Sequence, residues 1–359
     1  MKKAKVTLKD VAAYAGVSAA TVSMILNGRS SSKFPETTCR RVIDACNELG
    51  YVRNGTFQSA PDDKVLMAIT PTFSNLYYIH MVVAMQSRAK ELGYSLVVFN
   101  TFREISQETR IMQICNQFPY AGVFFLYPPE NQMLMQQMEW SKPVIHIYDK
   151  GIHDDADILE LDGFRVGTIT GEYLLEQGHE HIAFISSTFH TKQITRIRRL
   201  EGMRAVYAAH GYDPVDSVLA CSPENILPNL RTVPEGYELG YLLTKRVMER
   251  WEDVTAFVAV NDMMAIGVMD AITDAGKRIP EDYSVCGCDN TSVARYKHIA
   301  LTSVESYAKQ TGRQAVDLLI RKIEGGNNLS GLEDSPDGIT RIEYFPKLIV
   351  RKSTGPRRK

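Results

Sequence analysis

The 359-residue chain contains no apolar run of the ~18 residues that a membrane-crossing helix needs, and no charged-then-apolar leader opens it. A membrane span and a secretory signal are therefore not expected, and the expected compartment is the cytoplasm. Cysteine is sparse: Cys39, Cys46, Cys115, Cys221, Cys286 and Cys288, none in a CxxC pair. That usage excludes a disulfide framework and points to reduced packing residues. Cys286 and Cys288 lie two apart in an apolar strand pattern and are expected in the core, because a zinc site would need two more ligands at matching spacing. Catalytic signatures are missing as well. There is no GxxxxGK(S/T) loop, no GxGxxG after the first strand pattern and no GxSxG elbow. Phosphoryl transfer, hydride transfer and hydrolase chemistry therefore lack their parts, and no catalytic residue, metal or cofactor is expected.

What is present is an ordinary globular composition, 44% hydrophobic and 23% charged, in a chain long enough for two or three domains. The net charge of -1 conceals an uneven distribution. Residues 1–54 carry nine Lys or Arg against four acids, a net of +5. The other 305 carry 32 against 38, a net of -6. A small basic head on an acidic body suggests that the head meets a polyanion, the plainer alternative being a lysine-rich terminus.

The head has its own pattern, VTLKDVAAYAGVSAATVSMILNG from Val6 to Gly28. Thr7 can cap a helix that begins at Leu8, with Asp10 in the favourable first turn and Leu8, Val11, Ala12 and Ala15 as its apolar stripe. Gly16 ends that helix. Ser18 caps a second one, whose inner face is Val22, Ile25 and Leu26 and which Asn27 and Gly28 close. A third, in PETTCRRVIDACNELGY, supplies Val42, Ile43, Ala45, Cys46 and Leu49 to a shared core. Two helices across a short glycine turn form a helix-turn-helix. Ala19, Ala20, Thr21, Ser23 and Met24 are left facing outward, small enough to enter a DNA major groove.

Beyond the head, apolar runs at Val65–Ile69, Leu96–Phe99, Gly122–Leu126, Val144–Tyr148, Ile182–Ser186, Ala256–Val260 and Val285–Cys288 alternate with helical stretches such as Tyr78–Leu92 and Gly167–Gln177. Strands alternating with helices predict parallel α/β sheets, which bind ligands at the carboxyl ends of their strands. Trp251 sits among charges after a long helix and is taken as packing. His179 and His181, in GHEHIAF, fall at a strand entrance, where a structural role is expected.

The segment TLKDVAAYAGVSAATVSMILNG resembles the head of the lactose/galactose-repressor family of bacterial transcriptional regulators, whose usual form is close to TIKDVAxxAGVSxxTVSRVLNG. The similarity continues through ELGY, VLMAITPTFSNLYY, KELGYSLVVFNT, YLLEQGHEHIAFIS, RRLEGMRAVYAAHG, AFVAVNDMMAIGVMDAITDAGKRIPEDYSVCGCDN, ALTSVES and FPKLIVRKST, so it covers nearly the whole chain. The family carries a similar GH pair without metal. The resemblance implies a helix-turn-helix domain over 1–54, a linker or hinge over 55–64, an effector-binding and dimerisation core over 65–350 and a basic tail over 351–359. The core would be two parallel-sheet subdomains like a periplasmic sugar-binding protein, with crossovers near 162, 290 and 325.

Site residues follow from the same match. On the head, Thr7, Ser18, Thr21, Ser23, Asn27, Arg29 and Arg53 are candidates for DNA contact, with Ala19, Ala20 and Met24 at base edges. In the core, Phe73 and Asn75 of TPTFSN are placed to stack on and hydrogen-bond a polar ring, or else form a strand-to-helix turn with Ser74 or Asn75 as cap. Arg199 of RRLEGM matches an arginine that the family points at its ligand; its rival reading is a solvated helix face shared with Arg196, Arg198 and Arg204. Asn261 of VNDMMAIG either caps the following helix or reaches the ligand, and the family pattern favours the second, with Asp262 then the cap. Asp289 of GCDN matches an aspartate that accepts sugar hydroxyls, against the alternative of a turn aspartate. Tyr148 and Asp149 close the run VIHIYD and are weaker candidates.

Two departures limit what carries over. Met24 stands where the family usually has an arginine that contacts the operator, and methionine cannot fork onto guanine. In the linker YVRNGTFQSAPDDK, Arg53 replaces a proline, Gly55 and Pro61 are poor helix formers, and Ala60 falls near the position of a minor-groove leucine wedge. The implied function is a regulator, as a rule a repressor, that binds near-palindromic double-stranded operator DNA as a homodimer and answers a small-molecule effector, a sugar or related metabolite. A solute- or sugar-binding protein with a vestigial or protein-binding head is the alternative, supported by the atypical linker.

Overall fold

A computed structural model describes residues 6–26, 34–49, 51, 64–115, 119–148, 156–189, 194–228, 234–324 and 339–358. Three helices lead: α1 (Leu8–Ala15), α2 (Ala19–Leu26) and α3 (Glu36–Leu49). Thr7 and Asp10 form a reciprocal capping box on α1, the Thr7 N–H donating to the Asp10 carboxylate at 2.7 Å. Gly16 stops α1 in the left-handed conformation, φ 66°, which costs a residue without Cβ little. Ser18 then accepts the Thr21 N–H at 3.0 Å and starts α2. Val11, Ala12, Ala15, Val22, Ile25, Cys39, Val42 and Ala45 bury against one another as the head's core.

The strands that follow are β1 (Val65–Thr70), β2 (Ser95–Asn100), β3 (Gly122–Phe125), β4 (Val144–Ile147), β5 (Ile158–Leu161), β6 (Ile182–Ile185), β7 (Val218–Cys221), β8 (Ala256–Ala259), β9 (Ser284–Asp289), β10 (Thr302–Glu305), β11 (Arg341–Tyr344) and β12 (Lys347–Ile349). Among the described residues they form two six-stranded sheets, ordered β11-β5-β4-β3-β1-β2 and β12-β10-β9-β8-β6-β7. Pairing is parallel along β2-β1-β3-β4, between β5 and β11, and along β7-β6-β8-β9-β10; β12 runs antiparallel on β10. The helices between them are α4 (Leu76–Glu91), α5 (Ile105–Cys115), α6 (Gln132–Ser141), α7 (Gly163–Glu176), α8 (Ile194–Ala209), the short α9 (Pro214–Ser217) and α10 (Pro223–Ile226), α11 (Gly236–Arg250), α12 (Asp262–Asp274) and α13 (Ala308–Ile323). The parallel α/β sheets expected from the alternating pattern are present.

The chain divides into two compact units, Met1–Thr72 with Met85–His146 and Arg313–Gly338, and Phe73–Ala84 with Ile147–Gly312 and Ile339–Lys359. In the first, Leu66, Ile69, Phe124, Phe125, Met112 and Met135 are fully buried. The last turn of α4 is tied to α13 by charge: Arg88 reaches Asp317 at 2.6 Å, and Arg88 and Arg313 both reach Glu91, at 2.9 and 2.8 Å. In the second, Phe184, Phe257, Val258, Val285 and Cys286 centre a large core on which Trp251 packs. Gly202 of α8 lies so near the Phe164 carbonyl of α7, and Gly167 of α7 so near the Arg199 carbonyl of α8, that neither position has room for a Cβ.

Two details differ from the sequence-based expectation, at the crossovers and at the carboxy-terminal residues. No crossover falls at 290: β9 and β10 share the second sheet, so residue 290 is a turn within it, and the chain leaves that sheet between β10 and β11 and re-enters it between β11 and β12, while residue 325 itself lies outside the described residues. The crossover near 162 does separate β5 from β6. Residues 351–358 pack on the second sheet, where Ser353 donates to the Val285 carbonyl at 2.6 Å and Arg351 to Asn290 Oδ1 at 2.5 Å. His179 is buried and hydrogen-bonded to Thr255 (2.9 Å), Ser284 (3.0 Å) and the Gly355 carbonyl (3.0 Å), and burial lowers its pKa. It joins strand entrance to carboxy-terminal segment.

Candidate functional site

The described residues that the sequence singles out lie on the head and in the α/β body. On the head, helical geometry turns Val22 and Ile25 inward and leaves Ala20 and Met24, four apart, as the exposed pole of α2, with Met24 37% exposed. Ala19, Thr21 and Ser23 flank it, half-buried. Thr7 and Ser18 are exposed and hold caps, and the Ser18 and Thr21 hydroxyls lie 2.8 Å apart. Asn27, Arg29 and Arg53 lie outside the described residues.

The second surface is at the carboxyl ends of β8 and β9 in the second unit. Arg199, 9% exposed, comes from α8 and donates through Nη1 to the Val260 carbonyl at 2.7 Å. Asp289 ends β9, 8% exposed, with its carboxyl hydrogen-bonded to the Asn75 side chain. Burial first and the Asp262 carboxylate second push the Asp289 pKa well above the carboxylate range, while Arg199 and Asn75 oppose the shift. Asn75 has two duties, since its Oδ1 also accepts the Tyr77 N–H at 2.9 Å at the start of α4. Tyr77 joins the group: desolvation, then Tyr78 and Asp289, raise its phenol well above 10, with Arg199 opposing, so the phenol is uncharged. Phe73, two residues before Asn75, is 42% exposed. Tyr148 is half-buried at the end of β4 and Asp149 lies outside the described residues.

Behind Asp289 stands a second acid that pins the backbone. Asp262 accepts the Thr291 N–H at 2.6 Å, the Thr291 hydroxyl at 2.8 Å and the Ser303 hydroxyl at 2.5 Å. Asp289 and Asn290 adopt φ of 104° and 46°, a region that costs a non-glycine residue roughly 1–3 kcal/mol. Ser303 donors and acceptors, together with the Ser306 hydroxyl on the Asp289 carbonyl at 3.1 Å, hold that turn. The arrangement offers a ligand one carboxyl, one guanidinium, a phenol and an amide on a rigid support.

The expectation for Asn261 and Asp262 is thereby corrected. Asn261 caps α12, its Oδ1 accepting the Met264 N–H at 2.9 Å, which leaves its amide nitrogen for other partners. Asp262 is no cap but a buried anchor, because its carboxyl turns toward Thr291 and Ser303 instead of back along the helix. Tyr77 and Asp262 are the members that sequence reasoning missed as site residues. The aromatic pair after SN marked the first, and the ND pair at a strand end the second.

Comparison with known proteins decides the family. Residues 7–54 match the model for bacterial regulatory proteins of the lacI family, and residues 172–354, half of the chain, match that for a periplasmic binding protein-like domain. The chain belongs to the LacI family. It is 27% identical over 356 residues to the HTH-type transcriptional repressor PurR of Mannheimia succiniciproducens, covering 97% of this chain and 98% of that one. Identity is also 27% to the HTH-type transcriptional regulator DegA of Bacillus subtilis, over 98% and 99% of the two chains. Among solved structures, a transcriptional regulator CelR–cellobiose complex aligns with a TM-score of 0.67 at 24% identity, over 97% of this chain and 100% of that one. The lac repressor dimer bound to operator and the anti-inducer ONPF aligns at 0.64 and 23%, over 98% and 100%. These two likenesses carry the fold. This LacI-family chain is a transcriptional regulator, not an enzyme, and the reading of a solute-binding protein with a vestigial head is not favoured. No helix among the described residues is long and apolar enough to cross a membrane.

Proposed function

We propose that this LacI-family chain is a cytoplasmic repressor that binds near-palindromic duplex operator DNA as a homodimer and responds to a small polar metabolite, a sugar or a relative of one. In this reading residues 1–54 contact DNA, 55–64 link, and 65–350 hold effector and partner subunit. Thr7, Ser18, Thr21, Ser23, Asn27, Arg29 and Arg53 serve phosphates, while Ala19, Ala20 and Met24 meet base edges. Asp289, Arg199, Asn75, Tyr77 and the Asn261 amide take the effector, flanked by Phe73, Tyr148 and Asp149.

The observation that carries it is a helix-turn-helix with net charge +5 on a body of net charge -6 that gathers an Asp–Arg pair at its strand ends. Charge brings the head to phosphates, and a two-fold dimer sets two recognition helices roughly 34 Å apart, one DNA turn. An effector that favours one arrangement of the heads changes operator affinity by a coupling of about 1–3 kcal/mol. Two measurements test this. Gel shifts with DNA upstream of the protein's own operon should lose affinity steeply with salt, the sign of phosphate contacts. Thermal shifts across a sugar and nucleoside panel should rise for the effector by mass action. Binding no tighter than to random competitor, with and without each panel member, overturns the proposal.

A further inference from the structure

The exposed pole of α2 has an unusual chemistry for a surface brought to a polyanion. The head is rich in cations and hydroxyls, yet the two exposed side chains of α2, Ala20 and Met24, carry a methyl group and a thioether. Neither donates a hydrogen bond, and the thioether accepts only weakly. The hydroxyls that could read a base edge are already engaged or set back: Ser18 and Thr21 face each other at 2.8 Å, and Ser23 is half-buried beside Met24. In the major groove, guanine, adenine and cytosine show donors and acceptors, and thymine alone adds an apolar group, its C5-methyl. A polar base edge placed against Met24 would lose its water and gain no bond, a cost that an apolar edge avoids.

We infer that Ala20 and Met24 form an apolar reader for the C5-methyl of thymine, so that each half-site carries thymine where this pole enters the major groove. The occupant is duplex DNA, argued from the head's net charge of +5 and the apolar pole within it. The inference rests on the DNA-binding reading above and adds which base the helix selects. Met24 supplies length and torsional freedom to reach a methyl group, and Ala20 keeps the helix close enough for it to do so.

The test uses the full-length protein and a random duplex library. Sequences enriched by the wild type are resynthesised with deoxyuridine in place of each thymine in turn, which removes one methyl group and nothing else. At one or two positions per half-site the wild type should bind about fourfold more weakly, the worth of one buried methyl. Met24→Ala, an exposed site where the fold is not at stake, should bind the thymine and uracil duplexes equally at the position Met24 reads. Met24→Arg should enrich guanine there. If the wild type selects a sequence but no thymine-to-uracil change weakens it, or Met24→Ala is weakened by the same changes to the same extent, the inference is overturned. Failure to enrich any sequence would instead overturn the DNA-binding reading itself.

Discussion

The carboxylate of Asp262, first residue of α12, accepts the backbone N–H of Thr291 at 2.6 Å and so fixes the turn that presents Asp289. Its charge also raises the Asp289 pKa. Burial raises the Asp262 pKa from 3.8 to about 6, although its three hydrogen bonds pull the other way. An acid whose pKa is raised on folding contributes stability below its unfolded pKa and loses that contribution as pH rises through the folded one. Relative to Asp262→Asn, which cannot ionise, the wild type should lose up to about 3 kcal/mol between pH 4 and 6. Urea unfolding of both proteins across that range checks it; parallel curves would refute it.

Gly287, on β9, makes room for that carboxyl. A Cβ there would stand 2.5 Å from Asp262 Oδ1 and 2.8 Å from Leu301 Cδ2. Gly287→Ala should therefore destabilise by about 1–3 kcal/mol, through overpacking and a displaced hydrogen bond. Combined with Asp262→Ala its cost should shrink, since the two share one space. A double-mutant cycle in urea reads the coupling, and strict additivity would show that the clash lies elsewhere.

Glu91 works in the opposite pH direction. Hydrogen bonds from Arg313 and then Arg88 hold its pKa down at about 2, against an ordinary 4.5. Its contribution is present above pH 4.5 and is lost as pH falls toward 2. Glu91→Gln should flatten the acid limb of the stability curve and reduce its dependence on salt, because these side chains are partly exposed and screened. An acid limb unchanged in slope by the substitution would argue against the cluster.

How much of this was legible beforehand depended on periodicity and on partners. The seven short apolar runs all became strands, and the capping pair Thr7–Asp10 was readable because a cap and its partner lie three residues apart. Strands such as ILEL, TSVE and RIEY were not, since four residues that include a charge are too short a pattern to tell a strand from a turn and owe their extended form to the strands they pair with. Asn75, Arg199 and Asp289 were picked out singly, and the fold brings them to one place. Their meeting could not be read from spacing, because 214 residues separate Asn75 from Asp289. Asp262 follows the same rule: a first-turn aspartate looks like a cap in the sequence until the distant Thr291 and Ser303 arrive beside it. Residues Asn27, Arg29, Arg53 and Asp149 stay as sequence-based candidates.

Arg199 and Asp289 should differ in how they fail. Asp289→Asn keeps the size of the side chain and one acceptor, removes a buried acid that Asp262 already opposes, and should leave the fold as stable or more so. Arg199→Ala removes the donor that satisfies the Val260 carbonyl at 2.7 Å and empties a packed position on α8, so it should cost about 1–3 kcal/mol without any ligand. Both should lose the thermal shift produced by whichever compound of the sugar and nucleoside panel stabilises the wild type. The distinction lies in the unliganded melting temperature, which falls for Arg199→Ala and holds for Asp289→Asn. If Asp289→Asn keeps the wild-type thermal shift, the carboxyl does not touch the effector, and its left-handed backbone at φ 104° serves only the turn.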